Sequence, residues 1–166
     1  MAANVLGLLK VRVVRGVNLA YRDTRGSDPY VILRMGSQKV KTGVKKKNVN
    51  PEWNEELTLS VTEPIQPMGL EVYDKDRFSR DDKMGEAEFD IHPLVEASKM
   101  NFACMRDETV VEIVKPSSQN CLVDESYITL KGGKLVQDVI LRLRNVECGE
   151  VELILTWIKT SEGTSY

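Results

Sequence analysis

Hydrophobic and polar residues alternate along most of the chain, which is the pattern of half-buried β-strands. Leu9, Val11 and Val13 alternate with Lys10 and Arg12 near the start. A similar pattern, or a short apolar run between turn residues, marks seven further segments: 29–35, 38–42, 57–61, 69–73, 85–91, 139–143 and 151–157. Short strands at this spacing, separated by polar turns, predict an all-β sandwich of eight strands.

One region interrupts this pattern between the sixth and seventh predicted strands. Residues 93–99 favour a helical turn, since Leu94, Val95 and Met100 can share one face. Two short apolar runs follow, in 110–114 and 127–130, and predict a small β-hairpin. We interpret residues 100–135 as an insertion within a single domain that covers residues 1–166.

Composition narrows the class of protein. The chain has 166 residues, 42% of them hydrophobic and 29% charged, with a formal net charge of −2. This near balance argues against nucleic acid as a partner and leaves local charge clusters as the source of any electrostatic function. The sequence has no signal-peptide pattern and no apolar run near the about 20 residues of a membrane span. We therefore expect a cytoplasmic protein whose membrane contact is peripheral.

Carboxylates concentrate in two of the predicted loops. Asp23 and Asp28 lie between strands one and two, and Asp74, Asp76 and Asp82 lie between strands five and six. Both connections are of the same kind, so both loops can meet at one end of a sandwich. Five crowded carboxylates repel one another unless a cation separates them. Calcium, which takes about six to eight oxygen ligands in a flexible site, suits them better than magnesium, which demands a tight octahedron.

Alternatives to a calcium site remain at this stage. An EF-hand is excluded, because that loop needs glycine where Ser79 stands and glutamate where Gly85 stands. An isolated Asp-x-Asp in a turn is more often a solvated cap. Asp81 is an alternative to Asp82 as the residue that turns toward the other carboxylates.

Three motifs carry a resemblance to a known family. They are Ser-Asp-Pro-Tyr-Val at 27–31, Asn-Pro-Glu-Trp-Asn-Glu at 50–55, and Val-Tyr-Asp-Lys-Asp at 72–76 with Asp82 and Gly85 beyond it. Together they closely resemble the C2 domain family. The resemblance implies an eight-stranded antiparallel sandwich in the permuted, type II topology, whose flanking strands cover residues 5–95 and 136–158.

The same resemblance implies a ligand set for two calcium ions. Its side-chain members are the five aspartates already named, Asp23, Asp28, Asp74, Asp76 and Asp82. Main-chain carbonyls of Arg22 and Lys75 would add to them, and Ser79 is a further candidate. Asp23 and Asp28 stand five positions apart, where many calcium-binding members have six.

More narrowly, the chain resembles the small plant proteins called C2-domain abscisic-acid-related proteins or C2 GTPase-activating proteins. The insertion, with Gln-Asn-Cys-Leu at 119–122, and the segment 142–150 are similar to that family's extra region. The resemblance implies calcium-dependent binding to phospholipid at the plasma membrane. It also implies abscisic acid receptors or an unconventional G protein as protein partners.

Local charge suggests how calcium would control membrane docking. Residues 22–28 and 74–83 each carry equal numbers of acidic and basic side chains. Two calcium ions would shift this end to about +4, which anionic headgroups sense within a Debye length of about 8–10 Å. Phe78, with Arg77 beside it at the loop apex, is the candidate for insertion into the lipid interface, and packing within its own loop is the alternative.

A second, basic cluster comprises Arg34, Lys39 and Lys41, followed by Lys45, Lys46 and Lys47. Strand alternation places Lys39 and Lys41 on one face, where Arg34 from the second strand can join them. In related C2 domains this face contacts phosphoinositides, so we predict the same preference here, with an ordinary solvated face as the alternative. The run 45–47 consists of three lysines and also resembles a nuclear-import signal, which would add the nucleus as a location.

The sequence offers no catalytic residues. Its only histidine, His92, adjoins Pro93 in a turn, and no nucleotide-binding motif occurs. Two hypotheses remain: a calcium-dependent membrane adaptor, and a calcium-independent interaction module or GTPase activator whose arginine finger the sequence does not single out.

Overall fold

A computed structural model describes residues 4–21 and 26–160. Within these ranges the chain forms ten strands and one short helix. In chain order the elements are β1 (Val5–Val17), β2 (Pro29–Met35), β3 (Gln38–Lys41), β4 (Glu52–Thr62), β5 (Met68–Asp74), β6 (Asp82–Phe89), α1 (His92–Ser98), β7 (Val110–Val114), β8 (Ser126–Lys131), β9 (Lys134–Arg142) and β10 (Glu150–Ile158).

The strands form two antiparallel sheets that pack face to face. One sheet has the order β4-β1-β10-β9-β8-β7, and the other has the order β3-β2-β5-β6. Without β7 and β8, four strands remain in each layer. The predicted eight-stranded antiparallel sandwich is therefore confirmed, and the predicted hairpin segments extend one edge of the larger sheet.

The core lies between the two sheets and follows from the alternation in the sequence. Val11 and Val13 of β1 and Leu153 and Leu155 of β10 are fully buried, while the residues between them face outward. Inward side chains from β2 and β5, such as Leu33, meet them from the other layer. Because side chains alternate strictly along a strand, a register shift by one residue would expose this whole set.

Several strands begin earlier than the hydrophobic pattern predicts, and the difference is largest in β4 and β9. β4 begins at Glu52, not at residue 57, and β9 begins at Lys134, not at residue 139. In β9 the alternation is obscured by Gln137, which is only 1% exposed although it is polar. Its side-chain nitrogen donates to Ser126 Oγ at 2.9 Å, whereas its Oε1 has no hydrogen-bond partner among the described residues.

Five connections lie at the same end of the sandwich: β1–β2, β3–β4, β5–β6, β7–β8 and β9–β10. The β9–β10 connection also reaches the other sheet, since Glu86 of β6 and Arg144 form an antiparallel bridge of two backbone hydrogen bonds. Gly85 permits this contact, because it has a φ of +120° and a Cβ there would lie 2.7 Å from Val146 Cγ1. The connection thus joins the two layers beside the predicted calcium loops.

The helix α1 spans seven residues and buries Leu94, Val95 and Ala97. In the described ranges, no helix has the length and apolar character required to span a membrane.

Candidate functional site

Asp74 occupies the centre of the site, at the last position of β5. In the sheet it lies opposite Pro29 of β2 on one side and opposite Asp82 of β6 on the other. Asp28 directly precedes Pro29, so the strand register brings Asp28, Asp74 and Asp82 together at one end of the strands. Sheet pairing therefore supplies what the sequence only suggested: the two aspartate loops meet.

Backbone hydrogen bonds fix these loops against each other. The N–H of Asp28 donates to Asp74 Oδ1 at 2.8 Å, and the N–H of Lys75 donates to the Asp28 carbonyl at 3.0 Å. On its other side, Asp28 Oδ1 accepts the N–H of Lys47 at 2.8 Å. Below them, the buried hydroxyl of Ser27 donates to the Ala20 carbonyl at 2.9 Å.

An open cleft of about 740 Å³ results at this end of the sandwich. Four aspartates line it: Asp28, Asp74, Asp76 and Asp82. Asp74 is only 6% exposed, whereas Asp82 is exposed. The metal ligands that these four side chains can offer are carboxylate oxygens, which calcium prefers.

The β5–β6 loop is organised around Asp76. Its Oδ1 accepts the N–H of Phe78 at 3.0 Å, and its Oδ2 accepts the Ser79 hydroxyl at 2.8 Å. These bonds stabilise the charged form of Asp76 and so lower its pKa, and the bond from the Phe78 N–H has the largest effect. Ser79, predicted as a further ligand, therefore contacts a predicted ligand side chain.

Asp81 and Asp82, the two alternatives that the sequence left open, have different surroundings. Asp81 accepts hydrogen bonds from the Tyr30 hydroxyl and, at 2.9 Å, from the N–H of Asp76. Burial opposes the charge of Asp81, but these donors and Lys75, 3.7 Å away, lower its pKa. Asp81 thus holds the loop to β2, and Asp82 is the residue of the pair that lines the cleft.

The described carboxylates do not form a finished metal site. Across residues 4–21 and 26–160, no group of three or more His, Cys, Asp or Glu side chains is arranged to hold a metal ion. The predicted ligands Asp23 and Arg22 lie outside the described residues. The donor chemistry of the cleft therefore fits calcium, while the described side chains do not converge as the predicted ligand set requires.

Phe78 and Arg77 extend from the rim of the cleft. Phe78 is 94% exposed, which excludes the alternative that its ring packs within the loop. Arg77 is also exposed and lines the cleft. A large aromatic side chain held in water in this way is a candidate for an interface with an apolar partner.

The predicted basic face has both signs of charge. Arg34 and Lys39 are cross-strand partners, and Lys41 lies two positions from Lys39 in β3. Lys39 and Lys41 are exposed, but Arg34 forms an ion pair with Glu71 at 2.5 Å.

Glu71 is the acidic centre of this face. Burial raises its pKa, but Arg34, the Tyr73 hydroxyl and Lys83 outweigh burial and lower it. The guanidinium of Arg34 is therefore partly neutralised, and Lys39 and Lys41 are the predicted basic residues without an ion pair among the described residues.

Sequence reasoning did not place Lys46 and Lys47 at the site. Both line the aspartate cleft, because the β3–β4 connection lies at the same end as the two aspartate loops. The run of three lysines is evident in the sequence, but only the sheet order shows that it lies beside the aspartate loops. The two lysines add positive charge to a cleft that the aspartates alone would make acidic.

Comparisons with known proteins agree with this architecture. The sequence model of the C2 domain matches residues 7–104. Among solved structures, the C2A domain of plant Extended Synaptotagmin 1 superposes with a TM-score of 0.64 at 26% identity, over 95% of this chain and 98% of that one. The C2A and C2B domains of Extended-Synaptotagmin 2, solved with calcium bound, give a TM-score of 0.65 at 25% identity, over 95% of this chain and 48% of that one.

Curated relatives extend the match to nearly the whole chain. GTPase activating protein 1 of Oryza sativa subsp. japonica is 62% identical over 158 residues, which are 95% of each chain. Protein C2-DOMAIN ABA-RELATED 4 of Arabidopsis thaliana is 59% identical over 155 residues, covering 93% of this chain and 88% of that one. The sandwich and its cleft define a C2 domain. This chain belongs to the plant family of small C2 proteins that includes these relatives.

Proposed function

We propose that this protein is a calcium-dependent phospholipid-binding adaptor that docks on anionic membranes. The observation that carries the proposal is the cleft at one end of the sandwich. Four aspartates line it, and the exposed ring of Phe78 lies beside it. Carboxylates gathered along one cleft repel one another, and a divalent cation among their oxygen atoms relieves that repulsion.

The proposed ligands for two calcium ions follow the loops. Asp28, Asp74, Asp76 and Asp82 would bind from the described cleft, and Asp23 would bind from the β1–β2 connection. Carbonyl oxygens of Arg22 and Lys75 would complete the set, with Ser79 as an additional ligand. When bound, the ions would supply positive charge and open coordination positions for lipid phosphate.

Calcium binding would require a local rearrangement of the β5–β6 loop. Asp76 uses both carboxylate oxygens for Phe78 and Ser79, so at least one of these bonds must open or be shared. Asp81 can keep the loop attached to Tyr30 during this change, since it does not line the cleft. We infer that the loop has a fixed anchor and an adaptable ligand arm.

The change in charge would drive docking. The 74–83 loop carries four basic and four acidic residues, so it is neutral before calcium binds. Two ions would add about +4, and Lys46 and Lys47 at the same cleft would add to the attraction for anionic headgroups. Phe78 would then enter the interface, with Arg77 at the level of the headgroups.

The outer face of the smaller sheet is a second proposed lipid contact. Lys39 and Lys41 are exposed and free of ion pairs among the described residues, so they would bind phosphoinositide headgroups directly. Arg34 would join them only in exchange for its contact with Glu71. We therefore assign the phosphoinositide preference mainly to the two lysines.

Protein partners and location rest on the relatives. The names of the curated relatives point to abscisic-acid signalling and to GTPase activation. We propose abscisic acid receptors as recruited partners, the plasma membrane and cytoplasm as locations, and the nucleus as an additional one. The second candidate function is a GTPase activator or calcium-independent interaction module, favoured by the name of the rice relative.

Vesicle co-sedimentation separates the two candidates. Wild-type protein should pellet with phosphatidylserine vesicles in calcium and remain in solution with a chelator. Asp74→Asn/Asp76→Asn should abolish the calcium-dependent fraction, because asparagine keeps the size of the side chain but lacks its charge. The matched control is Asp124→Asn/Asp138→Asn, two exposed aspartates that do not line the cleft. Two results would favour the calcium-independent module. One is equal pelleting of the two double variants in calcium, and the other is equal pelleting of the wild type with calcium and with chelator.

A further inference from the structure

Two adjoining cavities lie at the end of the sandwich opposite the aspartate cleft. Each has a volume of about 260 Å³. Ser98, Trp157 and Lys159 line both of them, at the end of α1 and of β10. Small-molecule pockets begin at roughly 300 Å³, so each cavity suits one short apolar chain and not a two-chain lipid.

The walls of these cavities are mainly apolar. Phe102 and Leu135 line the first, Leu6 and Val95 line the second, and the ring of Trp157 contributes to both. Trp157 is itself 5% exposed, so its ring forms a wall and not a protrusion. A ligand chain would gain the free energy of leaving water against these side chains.

Polar groups are concentrated at the rim and on one wall. Lys134 and Lys159 are exposed at the first cavity, and neither has an ion-pair partner in the part of the chain that the structure describes. Lys99, at the second cavity, is paired with Glu96 at 3.1 Å. Thr160 lines the second cavity, and its buried hydroxyl has no hydrogen-bond partner among the described residues.

We propose that this end of the domain binds a small anionic amphiphile, a carboxylate with one medium-length apolar chain. The chain occupies the space beside Trp157, and the carboxylate lies between Lys134 and Lys159. A neutral chain of the same length would leave both ammonium groups unpaired, so the charge complementarity specifies the head group. This site is independent of the aspartate cleft, and its occupation requires neither calcium nor a membrane.

Trp157 can report on its own cavity. The chain has two tryptophans, and the other, Trp53, is buried with an indole N–H that lacks a partner among the described residues. Trp53→Phe therefore removes a second fluorophore without leaving a new unsatisfied group. In this background, decanoate and decanol are titrated separately below their aggregation limits, with chelator present and without vesicles.

Decanoate should change Trp157 emission saturably, and decanol should bind more weakly. Lys134→Gln/Lys159→Gln should weaken decanoate binding about tenfold or more, because two charge-assisted contacts are lost, and leave decanol binding unchanged. The matched control Lys115→Gln/Lys131→Gln removes two exposed lysines that line neither cavity and should retain wild-type affinity. Ser98→Leu, which fills space shared by both cavities, should weaken both ligands.

Three results would overturn the proposal. They are the absence of a saturable emission change up to about 1 mM decanoate, equal decanoate affinities in the two double-lysine variants, and equal affinities for decanoate and decanol. Thermal melting of each variant, compared with wild type, verifies that the readout concerns folded protein. Because calcium is absent throughout, failure here is distinguishable from failure of the membrane-docking proposal.

Discussion

The backbone N–H of Asp28 donates a hydrogen bond to Oδ1 of Asp74, with 2.8 Å between nitrogen and oxygen. Asp28 in turn accepts the N–H of Lys47, so two side-chain carboxylates connect three loops at one end of the sandwich. Each of these carboxylates therefore has a structural partner as well as a proposed metal ligand role. A substitution that removes charge but keeps the oxygen separates the two roles.

Asp74→Asn is the substitution that makes this separation. Its side-chain oxygen can still accept the Asp28 N–H, while the buried negative charge is lost. We expect the fold to be retained without calcium, and the stabilisation by calcium to disappear. Thermal melting with calcium and with chelator measures both effects. Asp138→Asn, an exposed site on β9, serves as control and should retain the full calcium shift.

Acid should destabilise the protein partly through Asp81. The pKa of Asp81 is lowered in the folded state, so its protonation favours the unfolded chain. The stability that the charged Asp81 contributes is therefore present above the unfolded pKa of about 3.9, and it is lost as the pH falls through the folded-state pKa. Asp81→Asn should therefore show a shallower loss of stability between about pH 5 and 3. Urea midpoints across this range measure it.

Tyr30→Phe provides a graded comparison, because it removes one donor to Asp81 and leaves the Asp76 N–H. Its acid sensitivity should lie between those of wild type and Asp81→Asn. A profile for Asp81→Asn parallel to that of wild type would contradict the role assigned to this carboxylate.

Gly85→Ala should be strongly destabilising. The residue has a φ of +120°, and its new Cβ would approach Val146 Cγ1 to 2.7 Å and Leu143 Cβ to 2.9 Å. Backbone strain and steric overlap together predict a loss of about 2 kcal/mol or more in the free energy of unfolding. Gly43→Ala is the control, since its nearest neighbour is a Glu55 carboxylate oxygen at 3.5 Å. Chemical denaturation of both variants makes the comparison, and equal stabilities would be inconsistent with the packing described.

Phe78→Ala should weaken membrane binding without affecting the fold. The side chain is 94% exposed, and its backbone bond to Asp76 is independent of the ring. Loss of an inserted aromatic ring, worth about 1.5–3 kcal/mol, should raise the vesicle dissociation constant in calcium by about tenfold to a hundredfold. Val110→Ala removes an exposed apolar side chain on β7 and should bind as wild type does. Vesicle titrations that gave the same affinity for both variants would remove Phe78 from the docking mechanism.

Lys39→Gln/Lys41→Gln tests the basic face. Each lysine near an anionic surface contributes on the order of 1 kcal/mol, so the double variant should bind phosphoinositide vesicles about thirtyfold more weakly at low salt. Binding to phosphatidylserine alone should change less, because the cleft makes that contact. The control Lys115→Gln/Lys131→Gln has the same net charge, so any equal loss would indicate a general charge effect.

The sequence predicted the strands better than it predicted the details of the site. Period-two alternation located the strands of the sandwich, because one face of each sheet is buried and the other is solvated. It missed the start of β9, where the buried Gln137 reads as a solvent-facing residue until its bond to Ser126 is known. The start of β4 was missed as well, because its one buried residue there, Trp53, stands among polar neighbours.

Site residues depended on contacts between distant segments. Asp81 and Asp82 are adjacent, and Asp81 is distinguished by contacts that include the hydroxyl of Tyr30, 51 residues away. The ion pair of Arg34 with Glu71 likewise joins two strands that are far apart in the chain. Sequence spacing identified the acidic and basic clusters, but tertiary pairing decides which of their charges remain available.

The backbone bridge between Glu86 and Arg144 has a consequence for crowding at a bilayer. Copies anchored by the same end would stand side by side, with the outer strands of their smaller sheets at high local concentration. An uncovered β6 would then offer unpaired amides to its neighbours and promote edge-to-edge aggregation. Because the β9–β10 connection already pairs with Glu86, that position of β6 is closed to the backbone of a neighbouring copy.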